Sequence, residues 1–343
     1  MLKLHNHNIS RSILHRLNNI STDLGIDLWI KRDDLLPLWG GGNKARKMSA
    51  IIRQAEQKGY NSIVTCGGLN SNHARAAAMA AASTGWKCRL ILHTNSTEIR
   101  ICGNLLLCQL ANAQIDIVKP QDIASAMKSA LKELLHEGLN PLEIPGGGHL
   151  PIGGQTYIEA LFELQEDCEA YRWYPDIIVL PSGTGTTQAG ILAGIKLANW
   201  ETRVIGISVA RTNPRGASSV IEALEWLREL YPSIDRPNVE FRDEWICEGY
   251  EHFDSRVIDA IQYAIRTDGL ILDPTYTGKA FAALLDMVKN NEIPKGAKVL
   301  FWHTGGQFNL MTADVNHNNQ IQTVSNLFIA DQKYEQIGVS KND

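Results

Sequence analysis

The chain has 343 residues, more than one hydrophobic core ordinarily serves, so two α/β domains or one large one are expected. Its composition, 44% hydrophobic and 20% charged, excludes a disordered or fibrous class, and 33 Lys+Arg against 37 Asp+Glu, a net charge of -4, gives no reason to expect nucleic acid or a membrane surface as partner. A small molecule is the expected ligand.

Other exclusions follow from particular residues. The six cysteines, Cys66, Cys88, Cys102, Cys108, Cys168 and Cys247, show no CxxC spacing, which argues against a zinc site or a disulfide framework and suits a reducing cytoplasm. The opening MLKLHNHNISRSIL lacks a signal peptide's apolar core, and no apolar run is long enough to cross a bilayer, so a cytoplasmic protein is expected.

In chain order, the first conspicuous stretch is GGGNKARK at 40–47, three glycines and an asparagine ahead of Lys44. From residue 62 short apolar strands alternate with helical stretches: SIVTC (62–66), a helix near 71–84, CRLILH (88–93), a helix near 102–112, QIDIVK (114–119) and a helix near 121–137. After a glycine-rich break, GGGHLPIGG (146–154), the pattern resumes with a helix near 155–169, DIIVL (176–180), a helix near 188–199, RVIGISV (203–209) and a helix near 217–230. A helix near 254–267, GLIL (269–272), a helix near 278–290 and KVLFWH (298–303) complete it. Strand and helix alternating at this spacing predict two open parallel-sheet α/β layers with a cleft between them.

Two glycine corners stand where a strand turns into a helix. Ser182-Gly183-Thr184-Gly185-Thr186-Thr187 offers backbone N–H groups, a helix N-terminus and hydroxyls to one anion, with phosphate the natural guest. A plain turn would need the glycines but not four hydroxyls. The loop matches neither the mononucleotide P-loop nor the dinucleotide GxGxxG pattern. At Cys66–Arg75 four polar residues in a row, Asn70, Ser71, Asn72 and His73, face the edge where open α/β sheets bind ligands; capping the helix would need only one of them. A lysine among neighbouring cations and apolar groups loses its proton and becomes a nucleophile. With a phosphate loop and a cleft, Lys44 therefore suggests pyridoxal phosphate held as a Schiff base.

Five motifs in this order, KRDDLLPLWGGGNKARKM, CGGLNSNHARA, SGTGTTQAGILAG, LDPTYTGKA and HTGG, resemble the tryptophan-synthase-β-like (fold type II) pyridoxal-phosphate enzymes, in particular the branch containing 1-aminocyclopropane-1-carboxylate (ACC) deaminase and D-cysteine desulfhydrase. The resemblance implies roles for single residues. Lys44 would hold the cofactor's aldehyde and move the proton at the substrate's α-carbon, and Asn72 would bond the cofactor's ring oxygen. Ser71 and His73 would sit beside the substrate carboxylate, with the serine hydroxyl assisting catalysis. Gly183, Thr184, Gly185, Thr186 and Thr187 would cup the phosphate, Thr277 would stand by the pyridine nitrogen, and Tyr276 and Tyr250 would face the substrate. It also implies a homodimer, a larger domain of residues 1–47 with 151–343, and a smaller one inserted at 48–150.

The resemblance also orders the chemistries. Thr277 stands where ACC deaminases carry a glutamate, and His73 where they carry glutamine, so β-elimination of D-cysteine to pyruvate, sulfide and ammonia is the expected reaction. β-Replacement, another specialised amino-acid transformation, ACC deamination, or cofactor binding without turnover are the alternatives. Asn70, Trp39 and the QFNL that follows HTGG depart from the branch, and Trp39 reads as core or as pocket lining. His5 and His7 read as surface residues, His303 as structural, and Arg211 and Arg215 as either solvated or cleft-facing.

Overall fold

The computed structural model describes residues 11–312; His5 and His7 lie outside them. Two sheets organise the chain. The first has six strands in the order β1-β2-β10-β7-β8-β9: β1 (Ile13–Arg16), β2 (Asp27–Arg32), β10 (Lys298–His303), β7 (Ile177–Ser182), β8 (Arg203–Ser208) and β9 (Glu240–Arg242). The second has four, β5-β4-β3-β6, drawn from β3 (Ser62–Gly68), β4 (Lys87–His93), β5 (Gln114–Val118) and β6 (Pro141–Ile144). Every ladder is parallel except that of edge strand β1 with β2.

Parallel strands covered on both faces read as continuous apolar runs, and β7 and β10 bear this out: every residue of β7 is buried, as are Val299 to His303. Between strands lie α3 (Asn72–Thr84), α4 (Gly103–Leu110), α5 (Ile123–His136), α6 (Pro151–Tyr171), α7 (Thr186–Leu197), α8 (Arg215–Leu230), α9 (Ser255–Asp268) and α10 (Thr277–Lys289). The alanines of α3 form the centre of one core with Met48, Ile52, Leu90 and Trp39, while α6, α7 and α8 close a second over β7, β8 and β10. Trp39 is therefore a core residue, its indole N–H donating to Ser83 Oγ at 3.2 Å.

Three differences from the sequence pattern are informative. GLIL (269–272) forms no strand; Leu270 and Leu272 are buried and Ile271 is exposed, but the backbone pairs with a side chain, Ile271 O accepting from His303 Nε2. Alternating burial thus arises without a ladder. α1 (Asn18–Leu24), β1, β2, β6 and β9 are short and carry too few residues to show a period. The third is α2 (Gly42–Gln57), which begins at the GGGN turn and packs against both α3 and α6. The boundary expected after residue 47 falls inside α2, and the one after residue 150 falls at the start of α6.

Candidate active site

The carboxyl ends of strands from both sheets converge on a cavity of about 330 Å³. Its wall includes Lys44 on α2, Gly67, Gly68, Ser71 and His73 after β3, His93 ending β4, Gly146 and Gly147 after β6, and Gly183 and Thr184 after β7. Val209, Ala210 and Arg211 after β8, with Tyr250 and Tyr276, complete it. Arg211 is thereby placed in the cleft, where its guanidinium donates to Ser219 Oγ.

The GGGN turn explains how Lys44 arrives there. Gly40, Gly41 and Gly42 have φ of 77°, 66° and 85°, and a Cβ on Gly41 would lie 2.4 Å from Asp34 O. Side chains would strain this backbone and clash with it. Asn43 locks the turn, its N–H donating to Thr304 O at 2.9 Å and its amide to Thr187 Oγ1 at 3.2 Å. Lys44 Nζ donates to Gly147 O at 3.0 Å. Although the residue is partly accessible through the cavity, protein surrounds its amine, and this burial draws its pKa down to about 8. The neutral amine is the nucleophile, so cofactor attachment to the apoprotein should accelerate as pH rises toward about 8 and level off above it; stopped-flow growth of the visible band measures this, and a pH-independent rate would contradict it.

His73 is buried, and burial with the nearby Lys44 and Lys47 pulls its pKa down to about 3. Its tautomer follows from its partners. Thr65 Oγ1 donates to Ile144 O at 2.7 Å, so it accepts at 2.8 Å from His73 Nε2–H. Nδ1 is left as an acceptor. Ser71 caps α3, its hydroxyl accepting from Ala74 N at 3.2 Å. Tyr250 and Tyr276 meet through their hydroxyls at 2.6 Å, and burial raises both phenol pKa values, so one phenol proton bridges the two oxygens.

The remaining expected residues stand behind the wall. Asn72 Oδ1 accepts from Asn104 Nδ2 at 3.0 Å, which leaves the Asn72 NH₂ as its outward donor. Gly185, at φ 84°, opens α7, whose first N–H groups have no acceptor in the helix, while Thr186 Oγ1 meets His149 Nδ1 at 2.5 Å. Thr277 Oγ1 donates to Asp273 Oδ1 at 2.7 Å and accepts from Asp273 N at 2.9 Å. Asp273 also accepts from the backbone N–H groups of Thr275, Tyr276 and Thr277, bonds that oppose the rise in its pKa that burial causes. The one hydroxyl proton of Thr277 is committed to it.

Sequence reasoning missed several of these groups. Gly146 and Gly147 were legible as a third glycine corner in GGGHLPIGG, the sequence left Arg211 open between solvent and cleft, and His93 carried no signal. Lys47 is the instructive omission: it is buried, its Nζ lies 5.8 Å from the Tyr157 ring centroid, and among the described residues it has no hydrogen-bond acceptor. Burial and Lys44 hold its pKa well below the usual value, and its charge also depresses His149 beside Thr186. A buried amine without an acceptor, close to His149 and so to Thr186 at the start of α7, fits a phosphate group that would supply its counter-charge. The glycines at 67, 68, 146 and 147 leave room for a flat ring; a Cβ on Gly147 would lie 2.8 Å from Thr184 Cγ2. His303 is structural: Nδ1 accepts from Gly305 N at 3.2 Å and Nε2 donates to Ile271 O at 2.8 Å.

A parallel α/β fold with a buried lysine, an anion cup and room for a flat ring defines a pyridoxal-phosphate enzyme. The sequence profile described as "Pyridoxal-phosphate dependent enzyme" matches residues 6–305, and the chain belongs to that family. It is 36% identical over 293 residues to a putative ACC deaminase of Pyrococcus horikoshii, covering 84% of this chain and 87% of the relative. It is 30% identical over 298 residues to D-cysteine desulfhydrase of Salmonella newport, covering 85% and 90%. A crystal structure of an ACC deaminase homologue superposes with a TM-score of 0.80 at 32% identity, covering 88% of this chain and 91% of that one. Among the described residues no helix is long and apolar enough to cross a membrane.

Proposed function

We propose that the chain catalyses β-elimination of D-cysteine, releasing sulfide, pyruvate and ammonia. The observation that carries this reading is the closed pair of bonds between Thr277 and Asp273, which leaves no hydroxyl proton for a pyridine nitrogen. A sink without that proton is weaker and suits a substrate whose leaving group departs as the α-proton is taken.

When bound, pyridoxal phosphate supplies the sink for the electron pair released at the α-carbon. Lys44 would hold its aldehyde, Asn72 NH₂ its ring oxygen, and Gly183–Thr187 with Lys47 its phosphate. Lys44, whose pKa of about 8 leaves a fraction of its amine neutral near that pH and which faces the cavity, takes the α-proton. Ser71 and the N-terminus of α3 hold the substrate carboxylate, and His73 Nδ1 accepts a hydrogen from the substrate beside it. The bridging proton of Tyr250 and Tyr276 goes to the departing sulfur, and the α-proton restores it. The C–S bond breaks, and the dehydro amino acid left behind takes up water to give pyruvate and ammonia.

The relatives' names support this class of reaction, and the Pyrococcus relative's name makes ACC the competing substrate. Purified protein given D-cysteine, L-cysteine and ACC in parallel, with products identified by mass, separates them. Pyruvate and sulfide from D-cysteine are expected; 2-oxobutanoate from ACC with none from D-cysteine would overturn the reading. The six free cysteines support a reducing cytoplasm, and the family resemblance a homodimer. The grouping of four strands within residues 62–144 supports an inserted domain at 48–150 within 1–47 plus 151–343.

A further inference from the structure

Tyr250 sits on a segment that does not hold its shape by secondary structure. Between β9 and α9 the chain has no ladder or helix, and Cys247, Gly249 and Glu251 all have positive φ, at 55°, 122° and 67°. Backbone in such conformations persists only where its surroundings over-determine it. Two groups do so here. The Glu251 carboxylate lies against the corner after β3, where its Oε1 would meet a Cβ on Gly68 at 3.5 Å and the nearby backbone of Asn70 opposes the rise in its pKa that burial causes. From below, Lys279, fully buried on α10, donates to Val209 O at 3.0 Å, Ile246 O at 2.9 Å and Gly249 O at 2.8 Å.

Three acceptors at these distances use all three N–H bonds of an ammonium, and a neutral amine would leave one carbonyl unmet. Burying a cation without a carboxylate partner is unfavourable, and burial depresses the pKa of Lys279 to about 8. A hydrophobic side chain of α10 would fill the space without that penalty. The carbonyls it holds explain the charge: Val209 directly precedes Ala210 and Arg211 on the cavity wall, and Gly249 directly precedes Tyr250.

We propose that Lys279 is a positioning residue for the reaction: by gathering the Val209, Ile246 and Gly249 carbonyls onto one ammonium, it sets the Tyr250 hydroxyl against Tyr276. The inference rests on the tyrosine pair acting on the substrate, as in the function proposed above. A displacement near 1 Å costs about 10²-fold in rate, so Lys279→Met holoenzyme should keep the visible band of lysine-bound cofactor and lose about 10–100-fold in kcat for D-cysteine.

The decisive measurement is the cycle of Lys279→Met, Tyr250→Phe and the double variant. If Lys279 acts through Tyr250, adding Lys279→Met to Tyr250→Phe lowers kcat by less than about twofold, whereas independent roles multiply. Multiplied losses, or unchanged kcat in Lys279→Met, overturn the proposal. Should Lys279→Met fail to fold, Gly249→Ala takes its place. Its Cβ enters open space while its φ of 122° disfavours alanine, so it disturbs the same carbonyl without touching the core. The same non-multiplying pattern is then expected, and multiplied losses overturn the proposal. If wild type leaves D-cysteine untouched, the proposed reaction fails and amide exchange of Lys279→Gln holoenzyme judges Lys279. Faster exchange confined to residues 209–211 and 246–252 supports it, and unchanged or general acceleration overturns it.

Discussion

Lys44→Ala lowers pyruvate release from D-cysteine by about 10³-fold or more, and the visible band of lysine-bound cofactor disappears. Lys44 lies on the cavity wall, and in the proposed reaction its amine, at a pKa of about 8, would serve both as the cofactor's anchor and as the base at the α-carbon. Loss of a positioned base alone costs about 10²–10⁴-fold, and loss of the covalent anchor adds to it. Steady-state kinetics at saturating cofactor, with circular dichroism to confirm the fold, measure the effect. Full activity in the alanine variant would remove Lys44 from the mechanism.

Arg46→Met lowers folding stability by about 3–5 kcal/mol. Asp33 is completely buried and accepts from Arg46 NH2 at 2.9 Å, Tyr157 OH at 2.6 Å and Trp302 Nε1 at 3.0 Å. Arg46 also donates to Glu163 at 3.0 Å, so one guanidinium on α2 joins the end of β2 to α6. Methionine matches much of the arginine stem but leaves the Asp33 charge buried without its cation. Urea denaturation monitored by tryptophan fluorescence reads the loss. Asp33→Asn in the same background should recover part of it, because a neutral amide oxygen still accepts from Tyr157 and Trp302 but needs no counter-charge. A single variant as stable as wild type would show that Asp33 is held by its neutral donors alone.

This network bears on function because α2 carries Lys44. Arg46 and Lys44 are two residues apart on a helix that starts directly out of the Gly40–Gly42 turn. The ion pair on one side, and Asn43 bonded to Thr304 and Thr187 on the other, hold Lys44 in register with the glycine loop after β7.

Much of the architecture was legible because the relevant signals are local. The strands β3, β4, β5, β7, β8 and β10 announced themselves as apolar runs at crossover spacing, and the two glycine corners at 66–75 and 182–187 lie where such strands end. Tyr250 was harder, since CEGYEHFD has no periodicity; its place 2.6 Å from Tyr276 comes from loop geometry held by Lys279 and Glu251. Lys47 and Lys279 read as ordinary helix cations, and no local pattern distinguishes a buried lysine from a solvated one. GLIL misled for the opposite reason, because period-two burial was supplied by core packing and not by a neighbouring strand.

The sequence by itself determined the family and the cofactor, and it singled out the SGTGTT loop and Lys44 as candidates, since each rests on residue types at short, contiguous spacing. Only the tertiary structure decided what state those residues are in. The lowered pKa of Lys44, the Nε2–H tautomer of His73, the commitment of the Thr277 proton to Asp273 and the burial of Lys47 without an acceptor among the described residues all depend on desolvation and on partners brought together from distant parts of the chain. Burial and hydrogen-bond satisfaction are properties of the packed molecule, and no stretch of sequence carries them alone.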